Sequence, residues 1–173
     1  MRIITCSHDQ HAESILEILN EAILTSTALY DYEPRSIESM RKWFDAKEAG
    51  RYPVIGAEGE NGTLMAFASY GMFRAWPAYK YSVEHSVYVH VGHRGKGLGR
   101  TLMRELIAAA RTQGYHTLIG AIDSGNEASI SLHEKLGFQR GGTIRQAGFK
   151  FGRWLDVTWY QLLLDTPAAP RDG

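Results

Sequence analysis

Residues 89–100, VHVGHRGKGLGR, concentrate the chemistry of this chain: Gly92, Gly95, Gly97 and Gly99 alternate with Arg94, Lys96 and Arg100. Glycine lacks a Cβ, so its backbone can approach a ligand closely and take dihedrals closed to other residues. A helix that opens behind such a bend adds unpartnered N–H groups and the positive end of its dipole. Bare backbone, amide donors and three cations together predict a phosphate or pyrophosphate site. Two nucleotide-binding patterns fail. The P-loop needs Gly-Lys-Ser/Thr after its first glycine and four spacer residues, and no window supplies that ending. The dinucleotide fingerprint Gly-x-Gly-x-x-Gly starts at Gly95 and Gly97, but Arg100 takes the third place. Started from Gly97 and Gly99, it meets Leu102 instead.

Other groups stand ready for chemistry. Asn126, Ser129 and His133 recur at i+3 and i+4 spacing, which sets them on one helix face. Arg74 and Arg153 are candidates to grip a carboxylate, which arginine does bidentately. Trp76, Tyr79 and Tyr30 are candidate pocket walls, with core packing as the competing reading. Seven histidines invite a metal hypothesis. His85 and His90 fall on opposite faces of an alternating strand, and no Cys pair or His-Glu-x-x-His occurs, so no metal is expected. Cys6 has no partner nearby in sequence and reads as a small buried residue. No Gly-x-Ser-x-Gly motif marks a hydrolase.

These residues must be held by elements that periodicity reveals. Strand RIITC precedes a helix over residues 9–24 with Ile15, Ile18, Leu19, Ala22 and Ile23 on one face, and Ser7 with Gln10 forms a capping-box pattern. Ser36 caps a second helix that stops at Gly50. PVIGAE and LMAFASYGMF read as strands joined by a turn at Asn61-Gly62. SVEHSVYVHV alternates cleanly and leads into the glycine segment. A helix through Leu102, Met103, Leu106, Ile107 and Ala110 follows, ending at Gly114. After strand TLIGAI comes helix NEASISLHEKLGF, with Leu132 and Leu136 on its core face and Gly137 as its stop. FQRGGTIRQAGF and DVTWYQLLL are the last strands. The expected order is β, α, α, β, β, β, α, β, α, β, β: an α/β chain with a mixed sheet.

Arg94-Gly95-Lys96-Gly97-Leu98-Gly99 fits Arg/Gln-x-x-Gly-x-Gly, between an alternating strand and a helix. With NEASISLHEKLGF downstream, the chain resembles the GNAT superfamily of acetyl-CoA-dependent N-acetyltransferases. YSVEHSVYVH, NEASISLHEKLGF and AGFKFGRWLDVTWYQL resemble its phosphinothricin and methionine sulfoximine acetyltransferase branch. The resemblance implies the acyl-CoA N-acyltransferase fold, a mostly antiparallel mixed sheet flanked by helices. It implies that Val87, Tyr88 and Val89 with Arg94 through Arg100 hold acetyl-CoA, aided by Asn126, Ser129 and Lys135. Transfer to an amine needs a base, because a free amino group is largely protonated near neutrality. Glu84 matches the proposed base of the branch. Backbone N–H groups near Val89, where the strand is expected to splay, are candidate oxyanion donors. The proton donor to the leaving thiolate is open. Many family members carry tyrosine near the place of His133, which is either the acid or a surface or cap histidine. Arg74, Trp76, Tyr79, Tyr30 and Arg153 are the expected acceptor-binding residues. The implied acceptor is a small amino-acid-like amine, used in a ternary complex by a homodimer. Peptide, lysine or polyamine acetylation and a silent coenzyme A sensor are the alternatives.

Composition sets outer bounds. The chain has 173 residues, 44% hydrophobic and 22% charged, which suits one soluble domain. Residues 1–165 are expected to form it, with 166–173 a flexible tail. Nineteen basic and nineteen acidic residues cancel, which disfavours a dedicated nucleic-acid binder. One cysteine, no signal-like apolar stretch and no run near the ~20 residues of a membrane span lead to a cytoplasmic, non-membrane expectation.

Overall fold

The computed structural model describes residues 1–172; Gly173, the end of the expected tail, lies outside the described residues. The elements are β1 (Arg2–Thr5), α1 (His8–Thr25), α2 (Ile37–Ala49), β2 (Val54–Glu58), β3 (Leu64–Met72), β4 (Ser82–Val89), α3 (Leu98–Thr112), β5 (Thr117–Asp123), α4 (Glu127–Lys135), β6 (Gln139–Lys150) and β7 (Arg153–Leu163). That is the order read from periodicity, with 3-10 turns added at Pro77–Tyr79 and Val91–His93. The seven strands form a mixed, mostly antiparallel sheet, β1-β2-β3-β4-β5-β7-β6, in which β4 and β5 run parallel. The chain divides into two compact units, residues 1–70 with 86–106, and residues 71–85 with 107–173.

In the first unit, Ile15, Ile18 and Leu19 of α1 and Met40 and Phe44 of α2 are buried with Val54, Leu64 and Phe67 of the strands. Each such side chain contributes ~1.5–3 kcal/mol of transfer free energy. Three helix ends differ from expectation, one of them the start of α2, where Ser36 stands at the N-cap without a side-chain cap bond. Ser7 makes no side-chain cap bond, and its N–H donates to His11 Nδ1 at 3.0 Å instead. The buried His11 ring, one residue beyond Gln10, fills the return half of the capping box. At the end of α2, Gly50 stays right-handed at φ −82° and Arg51 takes the left-handed turn at φ 55°. Glycine is needed at 50 for room: a Cβ would collide with the Tyr52 ring.

In the second unit, Leu118, Ile122, Phe138, Leu155, Val157 and Tyr160 form the apolar interior. Helix α4 is rotated from the expected orientation. Leu132 and Leu136 are half-buried, while His133 is buried at 2% exposure. The room comes from Gly120 on β5, which presents no side chain to the imidazole. Strands β6 and β7 close through Phe151 and Gly152, both left-handed at φ 52° and 72°, the twist a tight hairpin needs. Beyond β7, the Thr166 hydroxyl donates to the Tyr115 carbonyl, and the Tyr81 hydroxyl donates to the Arg171 carbonyl at 3.3 Å.

Candidate active site

In the first unit, β4 leads through a 3-10 turn and the glycine loop into α3. Gly95 and Gly97 have φ of 77° and 78°, a region that favours glycine, and a Cβ on either would meet nothing within 4 Å. The bend therefore presents bare backbone to open space. Thr101 N–H bonds the Gly97 carbonyl at 3.1 Å, so the earlier amides of Leu98, Gly99 and Arg100 have no residue four back within the helix. Leu98 is buried and pins the helix start. The cations are placed unequally. Arg94 donates from Nε to the Val89 carbonyl at 3.3 Å and from Nη2 to Glu21 Oε2. Lys96 Nζ lies 3.3 Å from the Gly92 carbonyl. Arg100 is exposed on the first turn of α3 with no ion pair among the described residues. Val87 and Val89 are half-buried, and Tyr88 packs against Phe67 with centroids 5.4 Å apart. Tyr30 is exposed. Open amides beside cations fit a diphosphate.

In the second unit, Glu84 sits at a fork. The parallel register of β4 on β5 runs Ser82↔Thr117, Val83↔Leu118, Glu84↔Ile119 and stops, although both strands continue. Pairing thus ends five positions before Val89, where sequence reasoning expected the splay. Burial pushes the Glu84 carboxyl above the ordinary glutamate value, against the opposing pull of Arg74. Arg74 Nη1 lies 3.8 Å from Glu84 Oε2, and its guanidinium rests over the rings of Phe73 at 4.3 Å and Trp159 at 5.6 Å. Tyr79 meets Phe73 edge-on at 5.5 Å. Trp76 and Tyr79 are exposed, so neither is a core residue. Arg153 pairs with buried Asp123 at 3.6 Å.

Asn126 caps α4, its side-chain oxygen accepting the Ser129 N–H at 3.1 Å. One turn on, His133 Nδ1 meets the Ser129 carbonyl at 2.6 Å. A carbonyl only accepts, so Nδ1 carries the proton and neutral His133 has a bare Nε2. That atom faces His85 Nε2 at 3.3 Å, and the rings stack at 5.0 Å and 19°. His85 is then the donor, and its own Nδ1 is buried with no partner. Burial, reinforced by His133, pushes His85 down to about 3, and burial lowers His133 against the pull of the Ser129 carbonyl. Both rings are neutral near pH 7. Asn126 stands at the N-cap before the helix, Ser129 is half-buried, His133 points into the interior and Lys135 is exposed. Sequence reasoning weighed His85 only as a metal ligand; its alternation with Val83 was the signal for a buried imidazole.

Among the described residues, no group of three His, Cys, Asp or Glu side chains is disposed to hold a metal ion. None of the described helices is long and apolar enough to cross a membrane. Cys6 is buried and its thiol is pushed up to about 12, chiefly by burial, which leaves it poor in thiolate.

The model of the Acetyltransferase (GNAT) family matches residues 14–138. The chain belongs to the GNAT acetyltransferases. Among its relatives, the L-methionine sulfoximine/L-methionine sulfone acetyltransferase of Pseudomonas aeruginosa is 46% identical over 90% of this chain and 91% of that protein. The phosphinothricin N-acetyltransferase of Streptomyces viridochromogenes is 38% identical over 91% of this chain and 85% of its own. An acetyltransferase structure from Salmonella typhimurium, solved with its cofactor acetyl-CoA, is 43% identical with a TM-score of 0.94, covering 99% of this chain and 98% of that one. This GNAT chain is thus an acetyl-CoA-dependent N-acetyltransferase with the family's mixed α/β fold. Acetyl-CoA supplies an acetyl group activated as a thioester.

Proposed function

We propose that this enzyme acetylates the amino group of small amino-acid-like acceptors of the methionine sulfoximine, methionine sulfone or phosphinothricin type. Transfer is direct, within a ternary complex, with Glu84 as general base. The observation that carries this reading is the Glu84–Arg74 pair: a half-buried carboxylate with a raised pKa, 3.8 Å from a guanidinium. An amino acid brings an ammonium and a carboxylate a few ångströms apart, and this pair offers the complementary charges. Arg74 takes the carboxylate, which arginine does bidentately. Glu84 takes a proton from the ammonium, directly or through a water, and frees the lone pair that attacks. Trp76 and Tyr79 wall the acceptor, with Tyr30. Arg153 is the weaker carboxylate ligand because Asp123 already engages it.

The loop from Arg94 to Arg100 holds the diphosphate, Val87 to Val89 the thioester arm, and Asn126, Ser129 and Lys135 the rest of the cofactor. His133 is less suited to act as the acid, because its Nε2 has no proton to give while neutral. A thiolate with a pKa near that of cysteine, about 8.5, leaves without one. The named substrates of the 46% and 38% identical relatives support the acceptor class. We further propose a cytoplasmic homodimer.

A thiol-release assay with acetyl-CoA tests this against methionine sulfoximine, methionine sulfone, phosphinothricin, spermidine and a peptide set. Turnover of the amino-acid analogues is expected, with Glu84→Gln losing at least ~100-fold in kcat, the share of a general base. Turnover confined to peptides or spermidine overturns the acceptor class. An undiminished variant overturns the role of Glu84.

A further inference from the structure

Glu17 and Glu21 lie one turn apart on α1, and each meets one flank of the glycine loop. Glu17 Oε1 is 3.6 Å from His90 Nε2. His90 Nδ1 accepts the Gly92 N–H at 3.1 Å, so neutral His90 carries its proton on Nε2, towards Glu17. Four residues on, Arg94 Nη2 donates to Glu21 Oε2, and the single Thr25 hydroxyl proton is shared between Glu21 Oε1 and the Glu21 main-chain carbonyl, each 2.8 Å from Oγ1. Arg94 reaches back through Nε to the Val89 carbonyl. Its guanidinium therefore ties α1 to the last residue of β4, at the start of the bend.

We propose that Glu21 is a positioning residue for acetyl-CoA binding: it holds Arg94 as a strut that keeps the glycine loop in its diphosphate-receiving shape. The inference rests on reading that loop as the diphosphate cradle. Gly92, Gly95, Gly97 and Gly99 make the segment costly to order, since glycine loses more backbone freedom than any other residue. A loop fixed beforehand does not lose that freedom when the ligand arrives. The alternative is that Arg94 swings from Glu21 to the diphosphate. That would break two bonds of the guanidinium and leave an unpaired carboxylate facing an incoming dianion. With Arg94 in place, Glu21 is neutralised, and Lys96, Arg100 and the backbone amides remain for the phosphates.

The sign of one effect separates the two. Calorimetry with coenzyme A and steady-state kinetics are run on the wild type, Glu21→Gln, Glu21→Ala, Arg94→Gln, the double variant Glu21→Gln/Arg94→Gln, and Gly97→Ala. Loss of a charge-assisted pair predicts coenzyme A binding ~10-fold weaker in Glu21→Ala, with the isosteric Glu21→Gln intermediate. KM for acetyl-CoA rises in parallel, while kcat at saturation and KM for the amine move less than about twofold, a split that general destabilisation would not produce. The double variant should bind no worse than Arg94→Gln alone. Tighter binding in either Glu21 variant makes Glu21 a competitor of the ligand and overturns the strut, and unchanged binding overturns it as well. Gly97→Ala isolates the underlying reading. If it weakens coenzyme A while the Glu21 variants do not, only the strut fails; if it leaves binding intact, the loop assignment itself fails.

Discussion

Glu84 and Arg74 set opposing influences on one proton. Burial raises the Glu84 carboxyl and wins; the Arg74 charge lowers it. Removing the charge leaves burial unopposed, so in Arg74→Gln the acid limb of the kcat profile should move to higher pH. KM for a carboxylate-bearing acceptor should rise ~10- to 100-fold as a bidentate contact is lost. A pH–rate series with methionine sulfoximine reads both, and an unmoved limb would mean that Glu84 is not the group titrating. His85 carries a second pH effect, on stability. Folding depresses it to about 3 from an ordinary value of 6.5, so the unfolded chain binds more protons between those values. Stability should therefore fall as pH drops from 6.5 towards 3, with a slope approaching ~1.4 kcal/mol per pH unit for this proton. His133, also depressed, adds in the same direction. Urea unfolding between pH 4.5 and 7.5 should show a shallower slope for His85→Leu, and an equal slope would remove His85 from the account.

At the scale of elements, the imidazole pair depends on a missing methyl. A Cβ at Gly120 would stand 2.9 Å from His85 Nε2 and 3.3 Å from His133 Nε2. Gly120→Ala must push one ring aside, weakening the stack and the turn of α4 behind it. A cost of ~1–3 kcal/mol is expected, a fall of roughly 2–12 °C in Tm for a chain this size, readable by thermal unfolding. An unchanged Tm would show that α4 is free to shift. The elements themselves were legible, because local periodicity and glycine stops determine where helices and strands run. Residues 9–24 became His8–Thr25, and the eleven expected elements appear in order. The glycine loop was equally legible, since its backbone demands sit in consecutive residues. Partnerships were not. Nothing within NEASISLHEKLGF distinguishes a helix that buries Leu132 and Leu136 from one that buries His133, because a glycine on β5 makes that choice. The ion pair of Arg94 with Glu21 spans 73 residues, so the loop's own sequence could not disclose it. The fork at Glu84 is likewise a register property, invisible until β5 lies alongside β4.

At the scale of the whole molecule, the question is what covers the last hairpin. Strand β6 closes one end of the sheet order and is exposed along almost its whole length. Phe149 and Trp154, whose rings meet edge-on at 5.1 Å, and Phe151 of the turn are large, apolar and exposed there, while Ile144 points to the other face. A monomer seldom leaves such a patch uncovered. The route of association is constrained by the strand itself. Register shifts between Arg140 and Gly142 and between Ile144 and Gly148 bend the edge and interrupt its ladder, which discourages another strand from adding to it. A partner would therefore meet side chains rather than backbone, and an apolar contact of that kind resists salt. Sedimentation equilibrium should give twice the 19.4 kDa chain mass, unchanged in 1 M NaCl as expected when screening has little to act on. Phe149→Lys or Trp154→Glu should each return the chain mass, because an unpaired charge would be buried at the contact. A single-chain mass for the wild type at micromolar concentration would leave the patch to another occupant, and a dimer untouched by both substitutions would move the contact elsewhere.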